Sequence, residues 1–338
     1  MKLVFVIPDV AAMISGGNVY NAALVSALRA AGAEVHVRTL ADAEVANDAA
    51  PGERWLVDSL YLDALPRLRA RSRRTILLAH YLPSLVAAGA VPSPPALPPA
   101  ERAALAAADA AVVPSRFMAG ALGQLAMAAE RIVVVAPGIE VPAAATAATE
   151  SDDRPALHAI VVANLVPGKR VLPLFDALEP ELRAGLPLRL TVAGSLTMDA
   201  GYAESCRARL AAAPRLADAV TLVGPVAHDR LLALLAASDV LLSPSCMESF
   251  GLALAEARAL GVPIVARAGG NSAAHVEARA GGVMVRDDAT LAAECARLAR
   301  DRDERRRRRQ AARACRPPPR RWADAARDLL AAHLFDSE

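Results

Sequence analysis

Short runs of apolar and β-branched residues alternate along this chain with Ala-rich stretches whose apolar positions recur at helical spacing. KLVFVIP, at the N-terminus, is a continuous apolar run of the kind that forms a parallel strand buried on both faces. The turn SGGN follows, then YNAALVSALRAAG with a helical repeat, and Gly32 stops that helix before the strand AEVHVRTL. This is one βαβ unit. WLVDSL, TILLAH, AAVVPS and RIVVVAPG repeat the pattern, and together these segments predict a first α/β domain over residues 1–141. Residues 142–155, rich in Ala, Thr, Pro, Asp and Glu, predict a linker. A second series follows over residues 156–318: LHAIVVANL, LRLTVAG, AVTLVG, DVLLSP, PIVARAGG and GVMV. The expected fold class is α/β, with two Rossmann-like domains facing an interdomain cleft and ligands beyond the carboxyl ends of the strands. The run from Asp301 to Arg321, with its RRRRR, is expected to be a solvated Arg-rich helix face. WADAARDLLAAHLF reads as a final amphipathic helix.

Composition narrows the picture. A length of 338 residues suits two domains, and a chain of this size buries a core without a disulfide or metal staple. Hydrophobic residues are 54% of the total, yet no apolar run approaches the ~18 residues of a membrane helix. The N-terminal LVFVI ends at Pro8 and Asp9, too short for a signal-peptide core. A soluble, cytoplasmic protein is therefore expected, with peripheral membrane contact left open. Cys206, Cys246, Cys295 and Cys315 have no C-x-x-C spacing, and no metal site is expected from them or from the Asp pairs at 152–153 and 287–288. A net charge of +2 gives no general attraction to nucleic acid. Lysine is rare: only Lys2 and Lys169 are present, which singles out the internal one.

The most informative segment is SPSCMESFGLALAEARALGVPIVA. Ser249, Phe250 and Gly251 are expected to form the turn into a helix that carries Glu256 two turns along, and Ser249, Phe250, Gly251, Leu252 and Glu256 are the candidate ligand-binding residues of this segment. The unpaired N–H groups of that first turn favour an anion. A diphosphate seated there would bring the rest of a nucleotide near Glu256, whose carboxylate suits the two hydroxyls of a ribose.

This stretch resembles the E-x7-E signature, here Glu248 and Glu256, of the retaining glycosyltransferases of family 4, which have the GT-B architecture. The resemblance extends over nearly the whole chain. VVANLVPGKR resembles the family segment whose basic residues hold the donor pyrophosphate, and Lys169 falls on the family's lysine. Asn164 stands where many members have arginine, and Arg170 is the neighbouring cation that could compensate. SGGN, with Gly16, Gly17 and Asn18, matches the glycine turn after the first strand. PGIE at 137–140 resembles a structural turn that closes the N-terminal domain. His80 ends the strand TILLAH, where members place a histidine facing the donor sugar, to hydrogen-bond a hydroxyl or orient the reacting centre. Tyr81 and Ser84 would then line the acceptor side. The strand ends at Gly194 and LVGPV correspond to the walls of the base site, with Val226 and Leu231 against the base; they read equally well as core strands with glycine ends. The remaining histidines (His36, His158, His228, His275 and His333) are assigned no chemistry. Residues 319–335 resemble the terminal helix that crosses back to the first domain, with Trp322 as a packing anchor.

The resemblance implies a retaining, metal-independent transfer of a sugar from a nucleotide-diphosphate sugar, of undetermined base, to a hydroxyl or other nucleophile of a small-molecule or lipid-like acceptor. Lys169 and the helix amides would stabilise the leaving diphosphate, Glu248 would hold the sugar and Glu256 the ribose. No cofactor beyond the nucleotide-sugar co-substrate is implied. The first domain is short for the family, and the Pro-rich segment 83–99 is expected to cover the acceptor side as a loop. The alternatives are a non-catalytic nucleotide-sugar-binding subunit, an epimerase or a pseudo-glycosyltransferase on the same fold, and an Arg-rich tail that binds nucleic acid or an anionic membrane.

Overall fold

The computed structural model describes residues 2–9, 15–45, 53–72, 74–142 and 154–332. The chain divides into two compact units, Met1–Gly138 with Arg320–Glu338, and Ile139–Pro319. Residues 143–153 of the expected linker and residues 333–335 of the expected terminal helix lie outside the described residues, as do Asp152 and Asp153.

The first unit is a six-stranded parallel sheet made of β1 (Lys2–Val6), β2 (Glu34–Arg38), β3 (Glu53–Asp58), β4 (Thr75–Leu78), β5 (Ala110–Val113) and β6 (Ile132–Val134). Its order, β2-β1-β3-β4-β5-β6, places the topological switch between β1 and β3. The helices are α1 (Gly16–Ala30), α2 (Leu40–Val45), α3 (Leu65–Arg71), α4 (Pro83–Ala88), α5 (Pro99–Ala107) and α6 (Arg116–Gln124). Ser15 caps α1 by accepting the Asn18 N–H, which fixes where the glycine turn becomes helix. The Pro-rich segment 83–99 is more regular than the expected loop. It folds as α4, a turn at Gly89 with φ +63°, and a 3-10 turn at Pro94–Ala96.

The second unit is another six-stranded parallel sheet: β7 (Leu157–Val162), β8 (Leu188–Ala193), β9 (Val220–Gly224), β10 (Val240–Ser243), β11 (Ile264–Arg267) and β12 (Val283–Val285). Its order is β12-β11-β10-β7-β8-β9, so the switch lies between β7 and β10. The helices are α7 (Val171–Arg183), α8 (Ala200–Ala211), α9 (Pro214–Ala219), α10 (His228–Ala237), α11 (Leu252–Leu260), α12 (Asp288–Arg300) and α13 (Arg302–Ala314). Side-chain alternation splits the core. Ala159, Val161, Leu242 and Val265 pack on one side with Phe175 and Leu291. Ile160, Leu241 and Ile264 pack on the other with Leu235 and Leu254.

The last helix, α14 (Trp322–Leu330), belongs to the first unit and packs on α1. Ala325, Ala326 and Leu329 are fully buried there, and burial of Leu329 alone contributes about 2 kcal/mol. The Trp322 ring meets Tyr20 edge-on at 5.5 Å. Gly138 of the PGIE turn shows why that position lacks a side chain: a Cβ there would lie 2.3 Å from the Trp322 backbone nitrogen.

The arginine run departs from expectation at two positions, while Arg306 and Arg307 stay exposed as expected of a solvated face. On α13, Arg305 and Arg309 are 4% exposed, with Arg309 donating to Asp239 at 2.7 Å and Arg305 lying 3.8 Å from the same carboxylate. Arg308 bonds Glu294 and Glu304, while Arg307 and Arg306 pair with Glu304 and Asp303. All five arginines thus have carboxylate partners, but only Arg305 and Arg309 are buried, where the buried Asp239 at the entry to β10 requires cations beside it. No helix of the described residues is long and apolar enough to cross a membrane.

Candidate functional site

The loops leaving β7 and β10 meet at the switch of the second sheet. After β7 the chain makes the 3-10 turn Pro167–Lys169. After β10 it runs through Cys246, whose N–H and thiol both reach the Gly168 carbonyl, at 3.0 and 3.2 Å. This contact brings Lys169 Nζ to within 2.6 Å of Glu248 Oε1. The pair is only partly exposed, 30% for the ammonium and 15% for the carboxylate. From the other side, the AGG turn clamps the Glu248 backbone. Asn271 N–H donates to the Glu248 carbonyl at 2.6 Å, and a Cβ on Gly270, at φ +57°, would fall 2.2 Å from that same oxygen.

Three residues past Glu248, Gly251 takes φ +88° and opens α11 without a side-chain cap and with no acidic residue in the first turn. The N–H groups at Leu252 and its neighbours therefore keep their attraction for an anion. Ser249 and Phe250 are half-buried at the same turn. The Phe250 carbonyl accepts from Asn271 Nδ2 at 2.7 Å and from His275 Nε2 at 2.6 Å, and the two rings meet edge-on. Burial lowers the His275 pKa, with the Phe250 carbonyl opposing it. Glu256 is 5% exposed on α11. One of its oxygens accepts from His228 Nε2 at 2.8 Å, a bond that raises the His228 pKa. His228 and His275, which carried no sequence signal, thus both belong to this cluster; only the fold brings residues 28 and 25 positions apart together.

Other expected donor residues have partners of their own. Asn164 Oδ1 accepts from Ser195 N–H at 2.7 Å, which ties the loop after β7 to the end of β8. Arg170 sits at φ +53° and sends its guanidinium to Asp288, at the start of α12, instead of towards Lys169 and Glu248. In place of compensating for Asn164 it braces the turn. A Cβ on Gly194 would lie 2.1 Å from the Ala163 carbonyl, so this glycine serves the β7–β8 junction. Val226 is half-buried beyond β9, and Leu231 packs partly into the core under α10.

In the first unit, the expected residues gather at the β1/β3 switch. His80, just past β4, lies over the Gly17 position, where a Cβ would come within 3.3 Å of its ring, and edge-on to Tyr20. Its Nε2 is 2.7 Å from Asn21 Oδ1, and Asn21 Nδ2 donates to Asp58 Oδ2 at 2.5 Å. Burial lowers the His80 pKa against the opposing charge of Asp58. Asn18 is buried beside this cluster, and Gly16 has open space around it. Tyr81 N–H reaches Ser59 Oγ, and the Ser84 hydroxyl donates to the buried Glu101 at 2.6 Å. Among the described residues, no group of three or more His, Cys, Asp and Glu side chains could hold a metal ion.

Residues 156–301 match the family described as glycosyl transferases group 1. This segment is a glycosyl transferases group 1 domain. Its relatives include the D-inositol 3-phosphate glycosyltransferase of Pseudarthrobacter chlorophenolicus, 35% identical over 161 residues, which are 45% of this chain and 38% of that protein. The enzyme of the same name from Rhodococcus erythropolis is 31% identical over 240 residues, 64% of this chain and 53% of the relative. The chain thus spans about half the length, or less, of the curated relatives it matches. Among solved structures, sucrose-phosphate synthase from Thermosynechococcus elongatus superposes with a TM-score of 0.75 at 21% identity, over 97% of both chains. Anabaena HepE in complex with UDP and glucose gives 0.71 at 17% identity, over 98% of both. The group 1 domain and its partner unit have the GT-B fold of these neighbours. The family, fold and glycosyltransferase class read from the E-x7-E segment agree with these matches.

Proposed function

We propose that this protein is a retaining glycosyltransferase that moves a sugar from a nucleoside diphosphate sugar to a hydroxyl of a small-molecule or lipid-like acceptor in the cytoplasm. The observation that carries this reading is the Lys169–Glu248 pair, 2.6 Å apart, beside the uncapped start of α11. An ammonium and a row of helix N–H groups are the preorganised charges that a departing diphosphate needs. They take the part that a divalent metal plays elsewhere, so the reaction runs without one. The diphosphate displaces Glu248 from Lys169, and the freed carboxylate then accepts from hydroxyls of the sugar. Glu256 accepts from the ribose with the oxygen that His228 leaves available. His80 accepts a hydrogen bond from a substrate hydroxyl. The acceptor hydroxyl attacks the anomeric carbon from the face the diphosphate leaves, and its proton passes to the leaving phosphate oxygen.

UDP-glucose heads the donor panel because HepE, of the same fold, is described with UDP and with UDP-glucose. A phosphorylated cyclitol joins the acceptor panel because the curated relatives are named for inositol 3-phosphate. The test is product analysis. An α-linked sugar from an α-linked donor, formed in the presence of a chelator, supports the reading. An inverted product, or donor cleavage that requires added metal, overturns the corresponding part of it.

A further inference from the structure

Behind His80 the first unit holds two buried polar side chains, Asn21 and Asp58, to which the transfer reaction assigns no role. Asp58, 1% exposed at the end of β3, Asn21, fully buried on α1, and His80 beyond β4 come from three separate elements. The links are short: 2.5 Å from Asn21 Nδ2 to Asp58 Oδ2, and 2.7 Å from Asn21 Oδ1 to His80 Nε2. Chemistry fixes the direction of each bond. A carboxylate only accepts, so the amide must turn its NH2 group to Asp58. Its carbonyl oxygen then faces His80, and a carbonyl oxygen only accepts, so His80 Nε2 must carry a proton. Asp58 cannot rotate out of this role, because its other oxygen accepts the Leu60 N–H at 2.8 Å and starts the 3-10 turn Ser59–Ala64.

The ring itself is held. Gly17 leaves the space it occupies, Tyr20 meets its edge at 4.9 Å, and Ser59 Oγ accepts the His80 N–H at 3.2 Å. About a tenth of the His80 side chain remains exposed. Among the described residues, no hydrogen bond engages Nδ1.

We propose that Asn21 and Asp58 are positioning residues that lock His80 in its neutral Nε2–H form, so that Nδ1 is presented as an unprotonated acceptor to a substrate hydroxyl. The proposal rests on the glycosyl-transfer reading for its substrate, but the lock itself does not. A bare ring nitrogen recognises an O–H donor and discriminates against an anion, which cannot supply a proton. It also cannot act as a proton donor, so His80 binds and orients and does not protonate a leaving group.

The experiment uses the full chain, uniformly nitrogen-labelled, with the ring nitrogens of His80 assigned by comparison with His80→Asn. Near pH 7 the wild type shows a neutral imidazole protonated at Nε2. A ring protonated at Nδ1 only, or at both nitrogens, overturns the proposal. Asp58→Asn is the decisive substitution. Retaining the Leu60 cap with Oδ1 leaves the new NH2 group facing Asn21. The Asn21 amide must then flip, and His80 changes to the Nδ1–H form. That variant is expected to lose about 10- to 100-fold in transfer, the loss that follows when a buried polar group meets the wrong partner. A weaker affinity for the nucleotide sugar, with bare nucleoside diphosphate unaffected, assigns the hydroxyl to the donor sugar. A raised KM for the acceptor alone assigns it to the acceptor. An unchanged tautomer in Asp58→Asn overturns the lock, and a changed tautomer with unchanged kinetics overturns its role in positioning. Absence of transfer by the wild type with every donor would sink the glycosyltransferase reading and leave the tautomer result standing.

Discussion

Glu248→Gln separates the two duties assigned to the Lys169–Glu248 pair. The substitution removes a carboxylate charge 2.6 Å from Lys169 Nζ and hardly alters the side-chain size. A hydrogen bond between charged groups contributes about 1.5–3 kcal/mol. Lys169 is 30% exposed, and solvent screening brings the figure to about 1–2 kcal/mol for this pair. In the wild type a diphosphate has to overcome that interaction before Lys169 can turn to it. In Glu248→Gln this cost is largely removed, so a bare nucleoside diphosphate gains about 5- to 30-fold in affinity. Sugar transfer moves in the opposite direction and falls about 100-fold, because the group that holds the sugar has lost its charge. Calorimetric titration of the diphosphate and initial rates of transfer, on the same preparations, read the two effects separately. The affinity gain shrinks as salt is raised, since the pair is partly open to screening. Weaker diphosphate binding by Glu248→Gln would refute the argument that Glu248 competes with the leaving group for Lys169.

Three further substitutions test other parts of the structure. Asp239→Ala strands Arg309 and Arg305 in the interior and is expected to cost about 3–5 kcal/mol in urea unfolding; a loss below about 1 kcal/mol contradicts the buried-pair assignment. Gly270→Ala combines a left-handed φ of +57° with a Cβ 2.2 Å from the Glu248 carbonyl. It should lose about 2–4 kcal/mol and most transfer activity, whereas unaltered transfer would show that the Glu248 backbone is not fixed by this turn. The His228–Glu256 bond raises the His228 pKa, so its stabilisation is complete below the unfolded value of about 6.5 and disappears as pH rises through the higher folded value. His228→Asn should therefore melt below the wild type at about pH 5.5 and converge with it by about pH 9; a gap that widens with pH means the bond is misassigned.

The twelve strands of the two sheets were legible as short apolar or β-branched runs, continuous where the inner strands such as β1, β4, β5 and β10 are buried on both faces and weaker at the exposed edge strands β2, β6 and β9. The E-x7-E segment was legible for a similar reason: strand, turn and helix are contiguous, so local spacing carries the geometry. The partners of those residues were not legible. Asn21 and His80 are 59 positions apart and Arg170 and Asp288 are 118 apart, and no periodicity encodes such pairings. Arg170 illustrates the consequence. As a cation beside Lys169 it was a natural candidate for the pyrophosphate, yet its left-handed backbone and the acidic start of α12 draw it elsewhere. The arginines of α13 were expected in solvent by composition alone. What buries Arg305 and Arg309 is a single carboxylate, Asp239, at the entry to a strand far upstream.

A donor site built from Lys169, Glu248, the start of α11 and Glu256 stands or falls on nucleotide binding. The measurement is calorimetric titration of the wild type and Glu256→Ala, side by side, with UDP, GDP, ADP, CDP and dTDP. One nucleoside diphosphate should bind the wild type, and the substitution should weaken it about 10- to 100-fold through loss of charged hydrogen bonds to the ribose. Binding of none of the five by the wild type, or equal binding by Glu256→Ala, would contradict the account.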